Sequence, residues 1–337
     1  GASIQNNGLE LTFDYRVMDK KKIKWETKFI YASNQNTVLE MNGVDADMAK
    51  TMDPNLVPSQ GIAKFSEVSP GHEYAEFKVL SWARFGHGLA VDHDLDINTP
   101  DVAIDTLQEY NWKKNDVYIG KNGLPIMYSE KIWSGYAPNP DWTGSFYNDI
   151  KIGKKIKLSC LLDISMGGHI ANYTKNSLYE WGTHADTDKR YHPDFDNPDW
   201  FGYEEGVTTE WGKGTFQELI NHGHRAIGPG QDTIITFSQN LYENYMGRNT
   251  DVINNIEDAS YMKLREIALS YNFGPVKIGH LGDPNLTIRI SAQDLKTWTN
   301  YSGWDPETNM YQDRISGEDY FNQPQTWRAN MAIQFNW

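Results

Sequence analysis

Over the last eleven residues, 327–337, every odd position is apolar or small: Trp327, Ala329, Met331, Ile333, Phe335, Trp337. Every even position is polar or small: Arg328, Asn330, Ala332, Gln334, Asn336. A period of two over a full strand length gives one dry face and one wet face. Eleven residues also match the roughly 9–11 that a tilted strand needs to cross a bilayer. The dry face begins and ends on Trp, as at the two interfaces of a membrane barrel. The edge strand of a soluble sandwich has the same period, so the rest of the chain has to decide.

That period recurs. Leu9, Leu11, Phe13, Tyr15 and Val17 alternate with Glu10, Thr12, Asp14 and Arg16; after a polar turn at 19–22, Ile23, Trp25, Thr27, Phe29 and Tyr31 alternate with Lys24, Glu26 and Lys28. Further strands are predicted at 141–150 and 155–165 around a turn at Gly153-Lys154, at 258–273, and at 286–293 after a turn at 274–284. Residues 34–140, 167–257 and 299–324 read as long irregular connections, with weak strand patterns near 73–83 and 233–242. The turns at 19–22, 152–154 and 274–284 fall at one end of the strands. They do so provided that 32–140 and 166–257 each hold an even number of strands, including zero. Short turns at one end and long loops at the other are the habit of outer-membrane barrels.

Composition narrows this only a little. The 337 residues are 39% hydrophobic and 13% aromatic, with a mean hydropathy of −0.64. No run approaches the roughly 18 apolar residues of a membrane helix, while a barrel hides its hydrophobicity in alternate positions. A net charge of −14 argues against a nucleic-acid partner. Cys160 is the single cysteine, so no intrachain disulfide forms, and it stands among Ile156, Leu158, Leu162 and Ile164 as a small apolar residue. The chain opens on Gly1 without a Met or secretory signal, which reads as a mature or partial chain.

Asp258-Ala-Ser-Tyr-Met-Lys-Leu-Arg-Glu-Ile-Ala-Leu-Ser-Tyr271 resembles the strand signature of SusC/RagA-type TonB-dependent outer-membrane receptors. Asp294-Leu-Lys-Thr-Trp-Thr-Asn-Tyr-Ser-Gly-Trp-Asp-Pro-Glu307 is similar to the NLxTWTxYxGWDPE motif of that family, with Asp in place of Asn at 294. Asn7-Gly-Leu-Glu-Leu11 and Pro140-Asp-Trp-Thr-Gly-Ser-Phe146 match two further family patterns, in the family's order.

The resemblance implies an all-β fold: an antiparallel transmembrane β-barrel segment, part of a 22-stranded barrel, with long extracellular loops and short periplasmic turns. Residues 1–337 would be the C-terminal part of one barrel domain, with the plug and N-terminal strands lying outside this chain. Implied partners are the remaining N-terminal part of the receptor, a SusD-like surface lipoprotein, the TonB complex, and the lipid and LPS of the outer membrane. The implied function is uptake of oligosaccharides, or of peptides. The resemblance also implies that the terminal aromatic residues, Phe335 and Trp337, are read by the assembly machinery.

Candidate chemistry is sparse. Trp181, Trp200 and Trp211 stand near Asp194, Asp196, Asp199, Glu204 and Glu205, a pairing of aromatic faces and carboxylates that suits sugar binding or a protein lid. Asp92, Asp94, Asp96 and Asn98 are spaced like half a calcium loop, but Ile97 replaces the required Gly and Ala103 the closing Glu. These three Asp are weak metal candidates, and a solvated loop is the better reading. His222 and His224 lack a third ligand and read as surface loop. No general acid stands with its base, and neither a nucleophile elbow nor a phosphate loop is present, so no enzymatic activity and no cofactor are expected. Lys263 and Arg265 share a face with Ile267, Leu269 and Tyr271 and are expected to point outward towards lipid phosphates, unless a β-bulge turns them inward. The alternative to the transporter is a soluble, Trp-rich carbohydrate-binding or glycan-degrading β-protein, which would need no detergent.

Overall fold

A computed structural model describes residues 1–53, 56–86, 90–91, 102–103, 110–128, 131–181, 183–185, 213–216, 225–236, 252–279, 282–310, 317–323 and 325–337. The chain divides into two compact units, Gly1–Glu76 with Tyr136–Ile170 and Glu257–Trp337, and Phe77–Gly135 with Ala171–Ile256.

The first unit is built on seven long antiparallel strands: β1 (Ala2–Lys20), β2 (Ile23–Met41), β3 (Trp142–Ile152), β4 (Ile156–Met166), β5 (Tyr261–Pro275), β6 (Asn285–Thr299) and β7 (Arg328–Asn336). They pair in sequence order, β1-β2-β3-β4-β5-β6-β7. Both long connections therefore add zero strands to this path, as the parity argument requires. The tight turns 21–22 and 153–155 and the moderate turn 276–284 fall at one end of the sheet. Gly153, at φ +61°, supplies the left-handed residue that the β3–β4 turn needs.

Register carries the sequence alternation across the whole sheet. One row runs Phe13, Phe29, Phe146, Leu162, Leu264; another runs Trp25, Ile150, Leu158, Leu269, Ile290, Met331. The opposite face carries Arg16, Glu26, Asp149, Ser159, Ala268, Ser291 and Asn330 in a single row. Ion pairs knit this polar face, including Lys157–Asp149 at 2.8 Å and Arg289–Glu266. On the apolar face Leu9, Leu11, Phe13, Leu269, Ile290, Met331 and Ile333 stand exposed. Burying a side chain of this kind is worth about 1.5–3 kcal/mol, so a face this large demands an apolar medium. In β7 the odd residues, including Ile333 and Phe335, lie on the apolar face and Gln334 on the polar one, as the period predicts.

The second unit corrects the reading of 34–140 and 167–257 as mere irregular connection. Trp82, Val117, Ile119, Leu124, Phe216 and Ile235 form one buried cluster, and Ala83, Phe85, Tyr118, Ile126, Tyr128, Ile132 and Ile227 form another. Short strand pairs frame them: Val117–Tyr118 lies parallel to Ala226–Ile227, and Ile132–Trp133 pairs with Lys78 and Val79. The backbone approaches so closely at Gly230 that a Cβ there would lie 1.8 Å from the Gly120 carbonyl oxygen. Strands of two residues carry too little alternation to be read from sequence. The weak pattern near 73–83 does contain the strand Glu76–Val79, and that near 233–242 contains Ile235–Thr236.

Candidate functional site at the open ends of β5 and β6

At the end away from the tight turns, β5 and β6 change their alternation together. Leu161 pairs with Glu266 and Leu162 with Leu264, so Arg265 is an extra residue, and Met262 and Leu264 take over the apolar face from Ile267 and Leu269. Opposite this bulge Asp294 adopts φ +54°, a left-handed conformation that Asp and Asn tolerate better than most residues. A β-bulge re-aims side chains. Here it turns Lys263 and Arg265 onto the polar face, which Glu266 already occupies.

The outward orientation expected for Lys263 and Arg265 is therefore wrong. Lys263 is 1% exposed, and its Nζ donates to Asp305 (3.1 Å), Gln325 (3.3 Å) and Glu307. Arg265 donates Nε to Asp163 (2.8 Å) and Nη1 to Asp294 (3.3 Å) and Glu307 (2.9 Å). Tyr261 completes the Glu307 cage through its hydroxyl at 2.6 Å, and Arg328 on β7 reaches Asp294 at 3.3 Å. Desolvation alone would raise the Glu307 carboxyl, but hydrogen bonds from Arg265, Lys263 and Tyr261 outweigh it and hold it down at about 2.

This network folds the start of the 300–327 connection onto the polar face. Asp305 also accepts from the Glu307 amide at 3.0 Å, and Glu257 holds both the amide (2.8 Å) and the hydroxyl (2.7 Å) of Ser302. The buried Tyr301 hydroxyl donates to Asp319 at 2.6 Å, and a Cβ on Gly303 would collide with the Tyr301 ring at 2.4 Å. Further along, buried Glu318 accepts from the Phe65 amide at 2.6 Å, yet burial still pushes its carboxyl up. Trp304, within this pinned stretch, is 78% exposed. The stretches 258–271 and 294–307, read separately in the sequence, are thus two halves of one clasp. A pair of cations flanking Leu264 in an apolar strand, with Asp-Pro-Glu downstream, was the signal that could have revealed it.

Of the sequence candidates, Trp181 follows the helix Tyr173–Glu180, which is N-capped by Asn172, and is 52% exposed. Trp200, Trp211, Asp194, Asp196, Asp199, Glu204 and Glu205 lie outside the described residues, as do Asp92, Asp94, Asp96, His222 and His224. Phe335 and Trp337 pack edge to face at 6.2 Å on the apolar side of β7. Cys160 sits on that same face, between Asn148 and Ile267. No group of three His, Cys, Asp or Glu poised for a metal occurs among the described residues.

An antiparallel sheet with one continuous apolar face, one ion-paired face, and long connections at a single end defines a segment of β-barrel wall. No protein-family model matches the chain. It is similar to two proteins of Formosa agariphila. TonB-dependent receptor P3 is 22% identical over 98% of this chain and 28% of its own length. TonB-dependent receptor P39 is 22% identical over 90% of this chain and 28% of its own length. Among solved structures, the RagAB peptide importer in its "closed-closed" state matches 99% of this chain and 30% of its own, with a TM-score of 0.54 and 13% identity. The RagAB peptide transporter matches 99% and 29%, with a TM-score of 0.53 and 14% identity. In sequence and fold the chain fits the C-terminal barrel portion of a SusC/RagA-type TonB-dependent receptor. It spans under a third of the length of the curated relatives it matches.

Proposed function

We propose that this chain forms part of the barrel wall of an outer-membrane importer energised through TonB, with its apolar face in lipid and its polar face lining the lumen. The observation that carries the reading is the unbroken apolar face of seven strands, whose described side chains stand exposed. A soluble sugar-binding or glycan-degrading protein would have to leave that face in water, at a cost its ion-paired face does not offset. The remaining N-terminal part of the receptor supplies the other strands, the plug and the TonB contact, and a SusD-like surface lipoprotein covers the mouth. The cargo is an oligosaccharide or a peptide; the names of the RagAB neighbours favour peptides for those proteins, and the Trp-rich connections of this chain favour sugars.

The connections that follow β2, β4 and β6 then lie outside the cell, where Trp181, Trp200, Trp211, Asp194, Asp196 and Asp199 would meet cargo or lid. Extraction only in detergent, with gel migration that changes on heating, is the expected behaviour of the full receptor; extraction without detergent would refute the barrel. Biotin labelling of a cysteine placed at Asp199 in intact cells tests the topology. Reaction only after the outer membrane is permeabilised would overturn it.

A further inference from the structure

Indoles of the strand sheet gather on its apolar face. Trp142 stacks on Tyr31 at 5.6 Å there, Trp298 lies opposite Met262, and Trp337 packs on Phe335. On the importer reading they form the aromatic rims that a membrane barrel keeps at its two interfaces. Trp304 is a different case. It belongs to the connection that the clasp folds onto the polar face, at the end away from the tight turns, where on the same reading lipid does not reach.

The backbone that carries Trp304 is held on both sides of it. Upstream, Glu257 takes both the amide and the hydroxyl of Ser302, and the Tyr301 hydroxyl is tied to Asp319. Downstream, Asp305 meets Lys263, Glu307 meets Arg265, and the Thr308 hydroxyl donates to the Asp305 carbonyl at 2.8 Å. Asp305 and Pro306 are buried, yet the indole between these anchors stands in the open. A fixed backbone and only two rotatable bonds mean that little entropy is lost when a ligand covers such a ring. The other exposed apolar side chains of this connection are less suited. Phe321 packs edge to face on Tyr320 at 5.0 Å, and Met310 has no flat face.

The chain neighbours Asn300 and Ser302 are polar and exposed, and the Asp305 and Glu307 carboxylates are taken by Lys263 and Arg265. An apolar peptide side chain gains most in an enclosed, desolvated pocket. A pyranose ring instead offers a flat patch of C–H groups, which the negative face of an indole attracts, and rim hydroxyls that Asn and Ser can meet. We infer that Trp304 is a stacking platform for a neutral pyranose unit of the imported cargo, on the lumen side of the outward mouth. The inference rests on the importer reading above and narrows its cargo to a saccharide.

The test oxidises the full receptor with N-bromosuccinimide and reads Trp304 by peptide mass spectrometry. The probes are a mixture of malto-, cello-, laminari- and xylohexaose and, separately, a tryptic digest of casein. Trp304 is expected to oxidise in the receptor alone, to be protected by the hexaoses and to stay reactive with the peptides. The protecting hexaose should bind Trp304→Ala roughly tenfold more weakly than wild type, the loss of one central aromatic contact. Trp304→Phe keeps a flat face and should lose less. Because the side chain is largely exposed, both variants should assemble with the heat-dependent gel migration of wild type. An indole already unreactive in the receptor alone is covered by the receptor itself, and that result would overturn the sugar contact. Protection by peptides only, protection by neither probe, or undiminished hexaose binding by Trp304→Ala would overturn it as well. A wild-type receptor without heat-dependent migration overturns the barrel reading instead, whatever the footprint shows.

Discussion

The two units of this chain treat the same kinds of side chain in opposite ways. In the strand sheet, Phe13, Leu269, Ile290 and Ile333 stand exposed while the charged residues of the other face pair with one another. In the second unit, Trp82, Phe85, Ile119 and Leu124 are buried at the centre and the polar groups are arranged around them, as where Arg225 meets Asp116 at 2.6 Å. The second unit solves the hydrophobic problem internally. The sheet leaves it to whatever surrounds that face, which on the function proposed above is lipid.

The largest expected effect breaks the internal solution. Trp82 packs edge to face on Phe216 at 5.2 Å within its cluster. Trp82→Ala should cost about 3–5 kcal/mol, read as rapid proteolysis between 77 and 135, while the heat-modifiable migration of the barrel persists. If that migration disappears along with the protease resistance, the two units do not fold by separate means. Next comes the medium-dependent face. Ile333→Arg should cost about 2–4 kcal/mol near the bilayer midplane, and Gln334→Arg on the lumen side should cost much less. Equal losses of assembly would cancel the assignment of faces.

How legible each region was follows from the same contrast. Every one of the seven strands was visible in the sequence, because one apolar face and one polar face impose a strict period of two. The upper halves of β1 and β2 were missed, since Ser, Asn, Gln and Thr on both sides leave no contrast to read. The core of the second unit was missed for another reason. Its hydrophobics come from short strands far apart in the chain, such as Ile119 and Ile235, and only tertiary contact assembles them. The clasp was half legible. Lys263, Arg265 and the 294–307 stretch were singled out, but a bulge shifts the alternation by one residue, and a strictly periodic reading then puts every side chain beyond it on the wrong face.

A smaller effect separates two carboxyls of the 300–327 connection. Glu307 is held at about 2, below its ordinary 4.5, so its contribution to stability is complete above 4.5 and is lost as pH falls towards 2. Burial raises the Glu318 carboxyl, so its contribution is complete below the ordinary value and is lost as pH rises through the raised one. Hydrogen-exchange protection in 299–310, corrected for the intrinsic pH dependence of amide exchange, should therefore fall on acidification from pH 5 to 3, and Glu307→Gln should remove most of that dependence. An unchanged acid response in Glu307→Gln would show that the clasp does not hold the segment.

The smallest effect concerns the one departure from the family pattern, Asp294. Its backbone needs φ +54°, and its carboxylate joins Arg265 to Arg328 at 3.3 Å each. Asp294→Asn keeps a residue that tolerates the left-handed conformation and an oxygen that accepts from one guanidinium, while the charge is lost. Arg265 still has Asp163 and Glu307, and the Arg328 side chain is largely exposed, so the loss should be within about 1 kcal/mol. Asp294→Ala removes both oxygens and places a Cβ without local hydrogen bonding in a conformation that costs roughly 1–2 kcal/mol. The order of thermal midpoints in one detergent should be wild type, then Asp294→Asn close below, then Asp294→Ala clearly lower. If Asn and Ala fall equally, charge and not backbone conformation is what the position demands, and the bulge does not depend on a residue suited to the left-handed region.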